Sequence, residues 1–116
     1  MTSTDPHIAQ ALQHIVTPHL SDNLQRMSGM VGLHRFHKAR KLVGRAVTVK
    51  CRPGDNLMIH AAIAMAKPGD VLVIDGKGDQ TSALMGTIMM TACHQLGIAG
   101  VIIDGAVRDS LEIDEM

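Results

Sequence analysis

Aromatic residues are almost missing from this chain: it has no tryptophan, no tyrosine and a single phenylalanine, Phe36, in 116 residues. Without stacking rings, a platform for single-stranded nucleic acid has almost nothing to be built from. Charge of one sign is missing too. Eleven Lys and Arg stand against eleven Asp and Glu, so no net field draws a polyanion. Cys51 and Cys93 are the two cysteines, and in an intracellular-looking domain such a pair reads as small buried hydrophobes rather than a disulfide. No apolar run reaches the roughly 20 residues that cross a bilayer. The start, MTSTDPHIAQ, lacks the basic and apolar regions of a secretion signal. The expectation is a soluble, cytoplasmic protein with neither a membrane nor a nucleic-acid partner.

What remains is an ordinary globular composition, 46% hydrophobic and 19% charged, of a length that suits one domain. Nine methionines, with Ala, Ile, Leu and Val, have to fill the core that aromatics would otherwise fill.

Asp5-Pro6 predicts a helix start, with Ile8, Leu12 and Ile15 on one face, and Pro18 predicts its end. A short second helix is expected from Ser21-Asp22 to about Arg26, followed by a loop-like basic stretch that includes HRFHKARK. Val43 to Cys51 alternates as a strand does. Leu57 to Ala66 is helical in pattern and apolar nearly all round, which predicts deep burial, and Lys67-Pro68-Gly69 stops it. VLVID, residues 71 to 75, and Val101 to Asp104 read as short buried strands. Between them a helical stretch is expected from about Ser82 to Leu96, capped by Gly97, and residues from Ser110 onward look helical. Buried strands alternating with helices predict an α/β domain with a largely parallel central sheet. The last helix would have fewer than two turns, so further chain or a neighbouring subunit is expected to cover the sheet edge.

In such sheets ligands gather beyond the carboxyl ends of the strands. Both buried strands end in Asp-Gly, at Asp75-Gly76 and Asp104-Gly105. With Asp79 and Asp109 they would bring four carboxylates to one rim around Arg108, a donor set for Mg²⁺ or Mn²⁺ rather than zinc. The competing reading is that Asp75 and Asp104 only cap the turns that follow. GKGDQT is not a dinucleotide loop, because the position that needs a third glycine holds Thr81. Gly86-Thr87 breaks the helical run ALMGTIMMTACHQL. A helix restarting at Thr87, with its hydroxyl as cap, would leave the Ile88 and Met89 amides for an anion. Close helix packing at Gly86 is the equal alternative. His34 and His37 have helical spacing but sit in the basic loop, and His60 reads as a core histidine.

The segments GRAVTVKCRPGDNLMIHAAIAMAKPGDVLVIDGKGD, ALMGTIMM and GIAGVIIDGAVRDSLEI together resemble the RraA-like family, over about residues 17 to 114. That family includes class II 4-hydroxy-4-methyl-2-oxoglutarate aldolases, which also decarboxylate oxaloacetate, and regulators of ribonuclease E activity. The resemblance implies a swivelling β/β/α-type fold, a homotrimer or hexamer with sites between subunits, and a divalent cation, Mg²⁺ or Mn²⁺, as cofactor. It assigns Asp109 to the metal, and Arg108 to the pyruvyl group of a 2-oxo acid substrate. Asn56 is carried over as the asparagine after Gly-Asp, and Gly86, Ile88 and Met89 as binders of the substrate carboxylate. Thr87 is matched to the position where aldolase members carry an acid. Family chains also run beyond DGAVRDSLEI, so the expectation is a single RraA-like domain without the family's C-terminal portion. The resemblance supports two functions: a metal-dependent lyase of 2-oxo acids, and a non-catalytic regulator that binds a ribonuclease or another protein.

Overall fold

Proline starts both helices of the N-terminal segment. Pro6 is the first residue of α1 (Pro6–Leu12), and Pro18 lies in the first turn of α2 (Thr17–Asn23), behind an extended Val16. A missing N–H costs nothing at those positions. Pro18 therefore opens the second helix, where the sequence pattern had it closing the first. Left-handed backbone at Gln25 (φ 64°) and Arg26 (φ 60°) then ends α2 ahead of the expected Arg26. The computed structural model describes residues 6–27, 29–37 and 41–114, so the expected cap Asp5 lies outside the described residues. His34 and His37 occupy exposed backbone without regular structure and share no helical face. The backbone divides into two compact units, residues 1–35 and 36–116.

In the second unit the order is β1 (Ala46–Lys50), α3 (Leu57–Met65), β2 (Val71–Asp75), β3 (Ala83–Met85), α4 (Thr87–Gln95), β4 (Gly100–Asp104), β5 (Ala106–Val107) and α5 (Ser110–Asp114). β1 alternates as its residues predict, with Val49 buried and Thr48 and Lys50 in solvent. β2 buries Val71, Leu72 and Ile74 in succession, the mark of a strand covered on both faces. It is the middle strand of a parallel sheet ordered β1-β2-β4. The register aligns Lys50, Asp75 and Asp104 at its carboxyl end. Gly76 follows directly and donates its N–H to the Asp104 carbonyl at 3.0 Å. A Cβ there would stand 2.7 Å from that oxygen, so only glycine lets β2 and the end of β4 approach this closely. The class is α/β, as the alternation of strands and helices implied.

Four expectations are corrected. Residues 83–85 form β3 instead of the start of a helix, because they pair in parallel with β5, a strand too short to leave a sequence signal. Thr87 does not cap α4: it is the first residue of the helix, and the N-cap position is held by Gly86, which has no side chain to offer. α3 is not deeply buried either. It packs on β1 and β2. Ile59 and Ala62 are buried, while Leu57 and Met65 are 67% and 75% exposed. His60 is exposed as well, so it is no core histidine. A helix laid on a sheet covers one stripe of its surface, and an all-apolar helix does not announce which stripe that is.

The core gathers Ile59, Leu72, Ile74, Leu84 and Met85, all fully buried. Cys51 and Cys93 sit in it as free thiols, as expected from their apolar surroundings. Burial pushes both thiols up, and the charges of Asp55 and Asp75 add to the effect at Cys51. Both shifts disfavour the thiolate, the nucleophilic form.

Asp70, at the entry to β2, is the buried charge among the described residues of this unit, 5% exposed. Arg45 holds it with a two-pronged pair, Nε to Oδ1 at 3.1 Å and a terminal guanidinium nitrogen to Oδ2 at 2.7 Å. The Lys67 amide donates to Oδ2 at 2.8 Å. The Arg45 hydrogen bonds hold the Asp70 carboxyl below its ordinary value of 3.8, against the opposing effect of burial and with help from the Lys67 amide. The folded state thus binds fewer protons than the unfolded chain between the two values. The pair's contribution is complete above the unfolded value and disappears as pH falls through the lower folded one. Asp70→Asn is expected to lower the thermal midpoint by several degrees at pH 7, with the gap to wild type closing below pH 3.8. Melting curves across that range check it; a gap independent of pH would remove the ion pair as the cause.

Candidate functional site

Gly86 is where the candidate residues meet. It is extended (φ −147°), a conformation open to any residue, so its need for glycine is spatial. A Cβ here would stand 2.7 Å from Asp109 Oδ2 and 2.8 Å from both Cγ and Nε of Arg108. The two charged side chains therefore rest directly on the backbone that starts α4. Met90 N–H donates to the Gly86 carbonyl at 3.0 Å, closing the first helical turn.

Arg108 is placed by the second sheet: its N–H donates to the Met85 carbonyl at 3.0 Å, just past the pairing of β3 with β5. Its side chain is 70% exposed, with Nε 3.7 Å from Asp109 Oδ2. An ion pair that open contributes little to stability. Asp109 follows in left-handed backbone (φ 61°), which costs a residue other than glycine roughly 1 kcal/mol. Its carboxylate turns back to α4 and accepts the Thr87 N–H at 3.1 Å. The Thr87 hydroxyl donates to Glu112 Oε2 at 2.6 Å. Residue-by-residue reading passed over Glu112, which lies on the short α5 three residues after Asp109.

An open cleft of about 170 Å³ lies alongside, lined by Asn56, Gly86, Ile88, Met89, Arg108 and residues 83–85 of β3. Asn56 spends its amide nitrogen on the Leu84 carbonyl at 3.1 Å and on Met89 Sδ at 3.5 Å, so it ties the start of α3 to the cleft wall. Ile88 and Met89 belong to the first turn of α4, whose N–H groups have no partner within the helix and carry the positive end of its dipole. The arrangement offers a guanidinium and a helix start to an anion, with a carboxylate beside them for a cation.

Of the seven residues to which the family resemblance assigned a role, Asn56, Gly86, Ile88, Met89 and Arg108 line this one cleft, and Thr87 and Asp109 adjoin it through Gly86. The four-carboxylate rim does not form. Asp75 Oδ1 accepts the Lys77 N–H at 2.9 Å, the turn-capping role. Asp79 is turned to Thr81, whose hydroxyl and amide hold its carboxyl below the ordinary value. The chain leaves the first sheet at Asp104 and carries Arg108 and Asp109 to the second. Among the described residues no group of three or more His, Cys, Asp and Glu is placed to hold a metal, and no helix is long and apolar enough to cross a membrane.

A family model described as RraA-like, Aldolase/RraA, matches residues 17–116. The chain belongs to the RraA-like family. Among curated relatives, this RraA-like chain is 41% identical over 96 residues to a Halalkalibacterium halodurans protein provisionally named a 4-hydroxy-4-methyl-2-oxoglutarate aldolase, covering 82% of this chain and 46% of that protein. A Paraburkholderia phytofirmans protein with the same provisional name is 40% identical over 83 residues, covering 72% and 50%. The chain thus spans about half the length of the curated relatives it matches. Among solved structures it is similar to a Geobacillus kaustophilus protein described as an S-adenosylmethionine:2-dimethylmenaquinone methyltransferase, with TM-score 0.78 and 34% identity, covering 88% of this chain and 64% of that one. It is also similar to the RNA-processing inhibitor RraA from Thermus thermophilis, with TM-score 0.75 and 30% identity, covering 88% and 62%.

Proposed function

We propose that this RraA-like chain carries the binding site of a divalent-metal-dependent lyase for 2-oxo acids. The reaction is retro-aldol cleavage of a 4-hydroxy-4-methyl-2-oxoglutarate-type substrate to pyruvate, decarboxylation of oxaloacetate, or both. The observation that carries it is the contact of Arg108 and Asp109 with Gly86 at the start of α4. The relatives provisionally named as aldolases support the same reading.

The donor chemistry fits a hard cation. Asp109 is a carboxylate 38% exposed at its side chain, with Glu112 on the same threonine and no described cage of His or Cys around it. Mg²⁺ and Mn²⁺ are commonly held by one or two carboxylates plus water and substrate. Asp109 would hold the cation, which supplies Lewis acidity to the keto oxygen when bound. Arg108 binds the substrate's 1-carboxylate and keto edge with its planar fork. Its fixed charge then opposes the negative charge that grows there as the C–C bond breaks. The amides of Ile88 and Met89 receive a carboxylate at the positive end of α4. Cleavage and decarboxylation develop charge on the same oxygen, so one set of residues serves both.

Pyruvate release from each substrate with Mg²⁺ tests the reading, and none above background overturns it. Asp109→Asn is expected to weaken Mn²⁺ binding, followed by calorimetry, on the order of a hundredfold, as for losing a charged partner worth roughly 3 kcal/mol. Unchanged affinity would remove Asp109 as the ligand. A second reading, a non-catalytic regulator docking on a ribonuclease or another protein, draws on the likeness to the RraA inhibitor and on Thr87, which brings no charge of its own. Partner capture that survives Arg108→Ala and Asp109→Ala, without metal binding, favours it.

A further inference from the structure

Arg108 and Asp109 are neighbours in sequence but are held in place differently. Arg108 is tied through its backbone N–H to Met85 of β3, whatever its side chain does. Asp109 lies beyond that tie, in left-handed backbone at the head of the short α5. Among the described residues, two hydrogen bonds return this segment to α4, and both come from Thr87: its N–H to Asp109 Oδ2 at 3.1 Å, and its Oγ1 to Glu112 Oε2 at 2.6 Å. The second is the shorter, in the range of a hydroxyl donating to a charged carboxylate. α5 closes its own turn with Ile113 N–H on the Asp109 carbonyl at 3.0 Å, which links the Asp109 backbone to the turn that carries Glu112.

We propose that Glu112 is a positioning residue of this site: by accepting the Thr87 hydroxyl it clamps α5 onto the first turn of α4 and holds the Asp109 carboxylate against the Thr87 amide. The role of Asp109 as metal ligand rests on the reading above; the clamp itself does not. Glu112 acts through Thr87 and touches neither substrate nor metal. Its loss therefore degrades what depends on Asp109 and spares what depends on Arg108.

Two measurements on the 116-residue chain decide it. Amide hydrogen exchange at Thr87 reads the clamp without any metal: Glu112→Ala and Thr87→Val are expected to speed exchange at that amide roughly tenfold, while the amides of β2 keep their protection. Mn²⁺ titration reads the consequence: each variant is expected to bind about tenfold more weakly, the usual scale for losing a group that orients a ligand. The double variant is expected to be no worse than either single one, because both remove the same bond. Glu112→Asp, which keeps the charge on a shorter arm, is expected to recover part of the loss. Unchanged exchange at Thr87 in Glu112→Ala overturns the proposal, as does an additive double variant, which would mean that Glu112 acts independently of the Thr87 hydroxyl. If wild-type protein binds no Mn²⁺, the metal reading falls while the exchange data still judge the clamp.

Discussion

Replacing Arg108 with alanine is expected to lower kcat/KM for pyruvate release by about 10²- to 10³-fold, the scale for removing one preorganised partner of a developing oxyanion. The thermal midpoint should hardly move. The side chain is 70% exposed, and its backbone tie to Met85 does not involve the guanidinium. Arg108→Lys keeps the charge but loses the planar fork, so it should recover only part of the rate. If the interaction is made equally with bound substrate and transition state, the loss appears in KM; if it strengthens as charge develops, it appears in kcat. Steady-state kinetics on both substrates separate these. An alanine variant with wild-type kcat/KM would take Arg108 out of the chemistry.

Gly86→Ala is expected to cost activity about a hundredfold with a small change in stability, the effect of moving reacting groups by about an ångström. The physical reason lies in what the added methyl would meet. Its neighbours at 2.7 and 2.8 Å are side-chain atoms of Asp109 and Arg108, not backbone. The backbone at Gly86 is extended, so alanine adds no strain there. The methyl is accommodated by pushing the two charged groups aside, which leaves the fold standing and disperses the site. Kinetics and melting curves on the same sample test it. A large fall in the midpoint with full activity per folded molecule would mean instead that Gly86 serves helix packing.

Much of the site was legible in sequence because its parts are marked by local chemistry. Gly86-Thr87 interrupts a helical pattern, and a restart of α4 at Thr87 was one of the two readings that the break allowed. Arg108-Asp109 stands out as a charged pair just past an apolar strand. β2 was legible to the residue, since VLVID is apolar throughout and bounded by turn residues. The strands that bring these marks together were not legible. β3 and β5 have three and two residues, and they exist only because they pair with each other across the intervening α4 and β4. ALM carries a helical pattern as well as any, and its partner decides otherwise. Glu112 was overlooked for a related reason: in sequence it is one acid among several near the end, and its bond to Thr87 spans a distance that no local pattern encodes.

Residue order and chemical type were enough for the α/β class, the parallel core strand, the two buried free thiols and the identity of the charged pair. These depend on periodicity and on which side chains tolerate water, both local properties. The common cleft of Asn56, Gly86, Met89 and Arg108, the division of Asp75, Asp79 and Asp104 from Asp109, and the uncovered face of α3 came from the tertiary structure. Each depends on which distant segment packs against which. That choice is made by burial summed over the whole unit, not by any one stretch of chain.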